Sequence, residues 1–197
     1  MTDLLTDDDG ATPLEHEEQE QLILSHITLR SELNEAEQIG ILAADDWAFN
    51  RRRRSTTILT EPFLTNLHTR MFGGVWKWAG VFRRTERNIG VPAYRIGMDL
   101  RHLLEDVRYW IDNETYQVDE IALRFHHRLV AIHPFPNGNG RHARLATDLL
   151  AVSLGRDRFG WGAGNITAAG EVRQRYIDAL RAADRHDYAL LFAFGRS

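Results

Sequence analysis

Two apolar helical patterns, Val118–Ile132 and Gly140–Leu154, are divided by a stretch that no helix tolerates: His133-Pro134-Phe135-Pro136-Asn137-Gly138-Asn139. The two prolines stop the first helix, since proline lacks the N–H and clashes with the preceding turn. Gly138 and Gly140 then permit a tight turn and a close backbone approach. A glycine-rich turn that feeds a helix N-terminus is an anion site, because unpaired N–H groups and the positive end of the helix dipole both face it.

The residues around that turn add chemistry. Asn139 offers a neutral donor. Arg141 and Arg144 are three apart, so they share a helix face and can grip neighbouring phosphates. His133, at the other end of the loop, is placed to accept a proton. A base, a phosphate cradle and two arginines within twelve residues point to transfer of a phosphate-containing group.

The rest of the chain bounds the setting. Its 197 residues are enough for one domain with a buried core. There is no cysteine, which excludes disulfides, thiolate nucleophiles and cysteine-ligated metals. No apolar run approaches the roughly 20 residues needed to cross a bilayer. The acidic start lacks a signal-peptide pattern, so a cytoplasmic location is expected. Residues 1–20 hold eight acids and no Lys or Arg, and residues 1–13 read as an acidic disordered tail. Helical periodicity is expected from Leu14 to about Glu37, then over Ile41–Phe49, Glu61–Phe72, Asp99–Ile111, Val118–Ile132, Gly140–Leu154, Ala169–Ala183 and His186–Phe194. Residues 75–97, where Trp76, Trp78, Phe82 and Ile89 interleave with charged side chains, predict a short β-hairpin. The fold class is therefore all-α with one β excursion. Trp76 and Trp78 are expected to anchor that hairpin to the core. Arg51–Arg54 reads as an exposed connector; with no helix-turn-helix beside it nucleic acid is not expected, and a nucleic-acid-associated module built on this run stays an alternative. His126 and His127, adjacent on a helix, face different directions and do not make a zinc site.

The segment from His133 resembles the Fic motif, His-x-Phe-x-Asp/Glu-Gly-Asn-Gly-Arg-x-x-Arg. His133, Phe135, Gly138, Asn139, Gly140, Arg141 and Arg144 match. Asn137 stands at the acidic position. The stretch Val75–Arg83 resembles the Trp-Ala-Gly entry to the Fic flap hairpin, and Glu120–Val130 resembles the helix before the motif. The likeness extends over roughly 20–195, with a Fic domain expected over 14–197 and its core over about 60–195. The sub-family most similar is mobile mystery protein B, associated with a helix-turn-helix partner protein.

The resemblance implies a Fic-fold helical bundle with a β-hairpin flap and a protein adenylyltransferase activity: AMP moves from ATP to a Ser, Thr or Tyr hydroxyl of a target protein. His133 is then the general base. Phe135 packs the loop into the core. Gly138, Asn139 and Gly140 line the anion hole, Arg141 holds the β- and γ-phosphates, and Arg144 holds the γ-phosphate. The flap (Arg83, Arg84, Thr85, Glu86, Arg87, Asn88, Ile89, Gly90) pairs with the target by β-augmentation. The family's acid before Gly138 holds magnesium, and Asn137 offers that metal only a neutral carbonyl. Three outcomes stay open: turnover with weakly held magnesium, transfer of another phosphate-containing group, or a catalytically weak nucleotide-binding regulator. The family's inhibitory helix, Ser/Thr-x-x-x-Glu-Gly/Asn, is partly matched by Ser31 and Glu35, which implies that Glu35 pairs with Arg144.

Overall fold

The computed structural model describes residues 20–27, 29–163 and 169–197. The acidic tail expected over 1–13 and the start of the expected first helix lie outside the described residues. Eight α-helices occur among the described residues: α1 (Arg30–Phe49), α2 (Ser55–Ile58), α3 (Glu61–Phe72), α4 (Ile96–Asp112), α5 (Val118–Ile132), α6 (Asn139–Ser153), α7 (Ala169–Ala183) and α8 (Ala189–Gly195), with a 3-10 turn at Ala93–Arg95.

The helix ends follow local chemistry. Thr60 accepts the Phe63 N–H at 3.3 Å and Pro62 sits in the first turn of α3. Arg53 closes the other end of α1, donating to the Trp47 carbonyl at 2.8 Å and to Ala48, with its guanidinium 4.3 Å from the Trp47 ring centroid. The arginine run is thus only in part an exposed connector: Arg51, Arg52 and Arg54 are exposed, while Arg53 finishes a helix.

Two expectations are corrected. The first helix does not run from residue 14 to 37 and restart at 41. Residues 20–27 are non-helical, with an isolated bridge between Leu22 and Trp76, and α1 is one continuous helix from Arg30. Its buried face is Leu33, Glu37, Ala44 and Ala48, a helical spacing that runs straight through the predicted break. The second concerns 75–97. Among the described residues no strand forms there; the segment is a series of turns and bends ending in the 3-10 turn. Its aromatic residues are spent on the core: Trp76 and Trp78 are buried and stacked with centroids 5.0 Å apart, as anchors.

The core positions the loop. Helices α5 and α6 pack on each other, α1 packs on α3, and α4 covers α5. A second cluster, with Leu123, Phe159, Ala179, Leu191 and Phe194, seats α7 and α8. Buried Asp148 on α6 ties in the intervening segment by accepting from the Phe159 N–H and the Trp161 indole. No helix among the described residues is long and apolar enough to cross a membrane.

Candidate active site

His133 ends α5 in the left-handed region, at φ 54° and ψ 60°. A non-glycine residue there is uncommon and costs on the order of 1–3 kcal/mol unless its surroundings impose it. They do. Arg83, only 3% exposed, donates its N–H to the Pro134 carbonyl at 2.9 Å and its Nε to the His133 carbonyl at 2.7 Å. The same guanidinium reaches the Thr85 carbonyl at 3.0 Å and that of Val91. The Val91 N–H donates to Ile132 at 3.3 Å, so the flap segment is pinned on both sides of His133. Between those pins, Gly90 at φ 97° packs where a Cβ would lie 2.7 Å from the His133 Cβ.

Electrostatics suit a base. Burial pushes the His133 imidazole down to about 4, helped by the charges of Arg83 and Arg87, against a backbone hydrogen bond at Val130. It is neutral at pH 7 and able to take a proton.

The turn is built from within. Asn139, 3% exposed, accepts the Phe135 N–H at 2.9 Å and donates back to the Phe135 carbonyl at 2.8 Å. Its side chain therefore shapes the loop from within, using its oxygen and one of its two N–H donors. Phe135 is buried as expected, stacked on the His68 ring with centroids 3.7 Å apart. Gly138, at φ 78°, caps α6, and a Cβ there would meet the Phe72 ring at 2.6 Å. The first helical bond runs from His142 to Gly138 at 2.9 Å. The N–H groups of Asn139, Gly140 and Arg141 lie in the turn before it, where α6 presents its positive end.

His68 was not legible as a site residue. Fully buried, it takes the Gly80 N–H on Nδ1 at 3.0 Å, so Nε2 carries the proton and donates to the Asn137 carbonyl at 3.0 Å. Burial, with the neighbouring His142, holds it well below its ordinary range. It links the start of the flap to the loop. Behind Arg144 lies another unforeseen group: the Tyr176 hydroxyl, 2.9 Å from His126 Nε2, with the Arg144 guanidinium 5.5 Å from the tyrosine ring centroid. His127 points elsewhere, to Asp184 at 2.8 Å and Tyr188 at 3.2 Å.

The magnesium expectation meets a poor donor set. The Asn137 side-chain oxygen accepts the Gly138 N–H, and its backbone carbonyl accepts from His68. Among the described residues no group of three His, Asp or Glu side chains could hold a metal. Asn137 thus offers a metal only neutral oxygens, each of which already accepts one hydrogen bond.

The inhibitory expectation is also corrected. Ser31 and Glu35 are exposed on α1. The acid that reaches the loop is Glu37, two residues on, and it meets Arg141 at 2.6 Å rather than Arg144. Of the flap residues, Arg84, Thr85, Glu86, Asn88, Ile89 and Gly90 are exposed, Arg87 is half-buried, and Arg83 is withdrawn into the core.

Residues 58–151 match the Fic/DOC family. That span runs from the end of α2 through the loop and nearly all of α6. Just under half of the chain is thus similar to the Fic/DOC family. The protein adenylyltransferase Fic of Drosophila grimshawi is 35% identical over 102 residues, which is 49% of this chain and 21% of that protein. A probable protein adenylyltransferase of Aquifex aeolicus (strain VF5) is 33% identical over 84 residues, 42% of this chain and 23% of that one. The chain thus spans little more than a fifth of these relatives' length. Among solved structures, the VirB-translocated effector BepC of Bartonella tribocorum, with bound AMPPNP, superposes with a TM-score of 0.69 at 18% identity, covering 92% of this chain and 97% of that one. That likeness is one of fold.

Proposed function

We propose that this Fic domain is a protein adenylyltransferase. The observation that carries the reading is a neutral, buried His133 fixed at the entry to a turn whose other side is the N-terminus of α6 with Arg141 and Arg144. In the reaction, a Ser, Thr or Tyr hydroxyl oxygen of a target protein attacks the α-phosphorus of ATP. Its proton passes to the imidazole of His133. The bond from the α-phosphorus to the bridging oxygen breaks, and pyrophosphate leaves with the electron pair. The first-turn N–H groups of α6 and the two guanidiniums offset the phosphate charge. The exposed flap residues Arg84, Thr85, Glu86, Asn88, Ile89 and Gly90 hold the target's backbone beside His133.

The reading carries with it a cytoplasmic setting, a helix-turn-helix partner protein of the kind associated with the mobile mystery protein B sub-family, and magnesium that arrives on the triphosphate rather than on Asn137. One observation favours a second reading. Both Asn137 oxygens are engaged, which supports a transferase of another phosphate-containing group or a weakly active nucleotide-binding regulator.

Incubation with a bacterial lysate and ATP labelled at either the α or the γ position separates these. Label reaching protein from the α position alone is the expected result. Label from the γ position means phosphoryl transfer, and no label with measurable ATP binding means a regulator.

A further inference from the structure

Glu37 stands where a charge is costly to keep. It is 5% exposed and lies in the buried stripe of α1 between Leu33 and Ala44. Its two oxygens go to different partners. Oε1 accepts the Trp76 indole N–H at 2.7 Å, and Oε2 accepts from Arg141 Nη1 at 2.6 Å. Trp76 is itself 1% exposed, so the carboxylate is fixed to the core on one side and to the loop arginine on the other.

The helix is held close for this contact. At Gly40, one turn on, a Cβ would stand 2.4 Å from the Met71 carbonyl oxygen. The next residue, Phe72, carries the Arg141 guanidinium over its ring at 4.9 Å. Arg141 is thus set by a ring beneath and a carboxylate beside it. Its side chain remains 34% exposed, and a guanidinium has five donors, so N–H groups are left for a ligand. Arg144 has no carboxylate within 4.0 Å among the described residues; its Nε lies 3.4 Å from the Gly140 carbonyl.

We propose that Glu37 is a positioning residue, supplied by α1, that holds Arg141 in the orientation needed to grip the triphosphate. This rests on the reading of Arg141 as a phosphate ligand. A carboxylate beside a phosphate-binding arginine can also act in the opposite sense, by competing with the phosphate. Competition requires the acid to leave. Glu37 is fixed by a buried indole on a helix packed against α3, and withdrawing Arg141 would strand its charge away from water. The geometry points to orientation.

The test is titration of the full chain with AMPPNP, together with α-label transfer, for wild type, Glu37→Gln, Arg141→Ala and the double variant, with exposed Gln38→Ala as control. Expected is about tenfold weaker AMPPNP binding for Glu37→Gln, the scale of one lost charge-assisted hydrogen bond, with KM raised and kcat changed less. In the Arg141→Ala background the same substitution should do nothing further, because the acid acts through that arginine. Glu37→Asp, which keeps the charge and withdraws it by one methylene, should fall between wild type and Gln. Tighter binding or faster transfer in Glu37→Gln or Glu37→Asp would overturn the proposal in favour of competition. An undiminished effect in the Arg141→Ala background would overturn it in favour of a purely structural role. Wild type that binds no AMPPNP would overturn the adenylyltransferase reading and this proposal with it. Wild type that binds while Glu37→Gln binds equally would overturn this proposal alone.

Discussion

At the scale of single residues, His133 is the centre and Arg83 its frame. Arg83 spends its donors on backbone carbonyls at both ends of the flap and on His133 itself, from inside the core. It also places a positive charge beside the imidazole. Burial is the largest cause lowering the His133 pKa, followed by Arg83 and then Arg87. Removing a neighbouring cation favours the protonated ring, so the pKa rises. Wild-type transfer should therefore be flat on the acid side down to about pH 5, one unit above the value of about 4. Arg83→Gln should move the acid limb of the kcat/KM profile upward, toward the ordinary 6.5, and Arg87→Gln should move it less. A pH profile of label transfer for the three proteins checks this; identical acid limbs would mean that neither guanidinium faces the ring. Much of the candidate site was readable from residues alone: a histidine, two glycines and two arginines in twelve positions are the pattern on which the proposed base and anion cradle rest. What could not be read was how each polar atom is used. Asn139 reads from the sequence as a neutral donor, and the fold adds that its side chain clamps Phe135, because an amide's partners depend on the folded path of the loop.

At the scale of elements, α3, α5 and α7 follow the periodicity residue for residue, with ends at Gly73, at the His133-Pro134 break and after Ala183. Strong periodicity and clear breakers leave little choice there. Helix α1 escaped for the converse reason. Its inward stripe includes a glutamate and small residues, so the pattern looks polar. The same feature hid Glu37, whose spacing of four from Leu33 is that of a core position. The flap alternates apolar and polar like a strand, yet forms no ladder. Its backbone is tied to the residues flanking His133, and Trp76 and Trp78 are turned into the core. Alternation identified the residues that face inward but not what their backbone would bond to.

At the scale of the whole molecule, His68 on α3, His126 on α5, His133 at the end of α5 and His142 on α6 lie inside the fold, and burial lowers all four. His126 is held at about 3 and His133 and His142 at about 4. Folded values below the unfolded 6.5 mean that the unfolded chain binds more protons at intermediate pH. The stability these groups contribute is complete above about pH 6.5 and is lost as pH falls toward 4. Urea midpoints measured from about pH 7.5 down to about pH 4.5 should fall steadily below 6.5; a constant midpoint would contradict neutral buried imidazoles. The central claim remains that a fold shared with nucleotide-binding Fic structures uses His133 to move a proton while other groups hold the triphosphate. It is tested most directly by comparing wild type and His133→Ala in α-label transfer and in AMPPNP binding on the same preparations. Transfer should fall by roughly 10²–10⁴-fold while the dissociation constant stays within about threefold, since the cradle is built from other residues. Equal transfer by the two proteins would contradict the account.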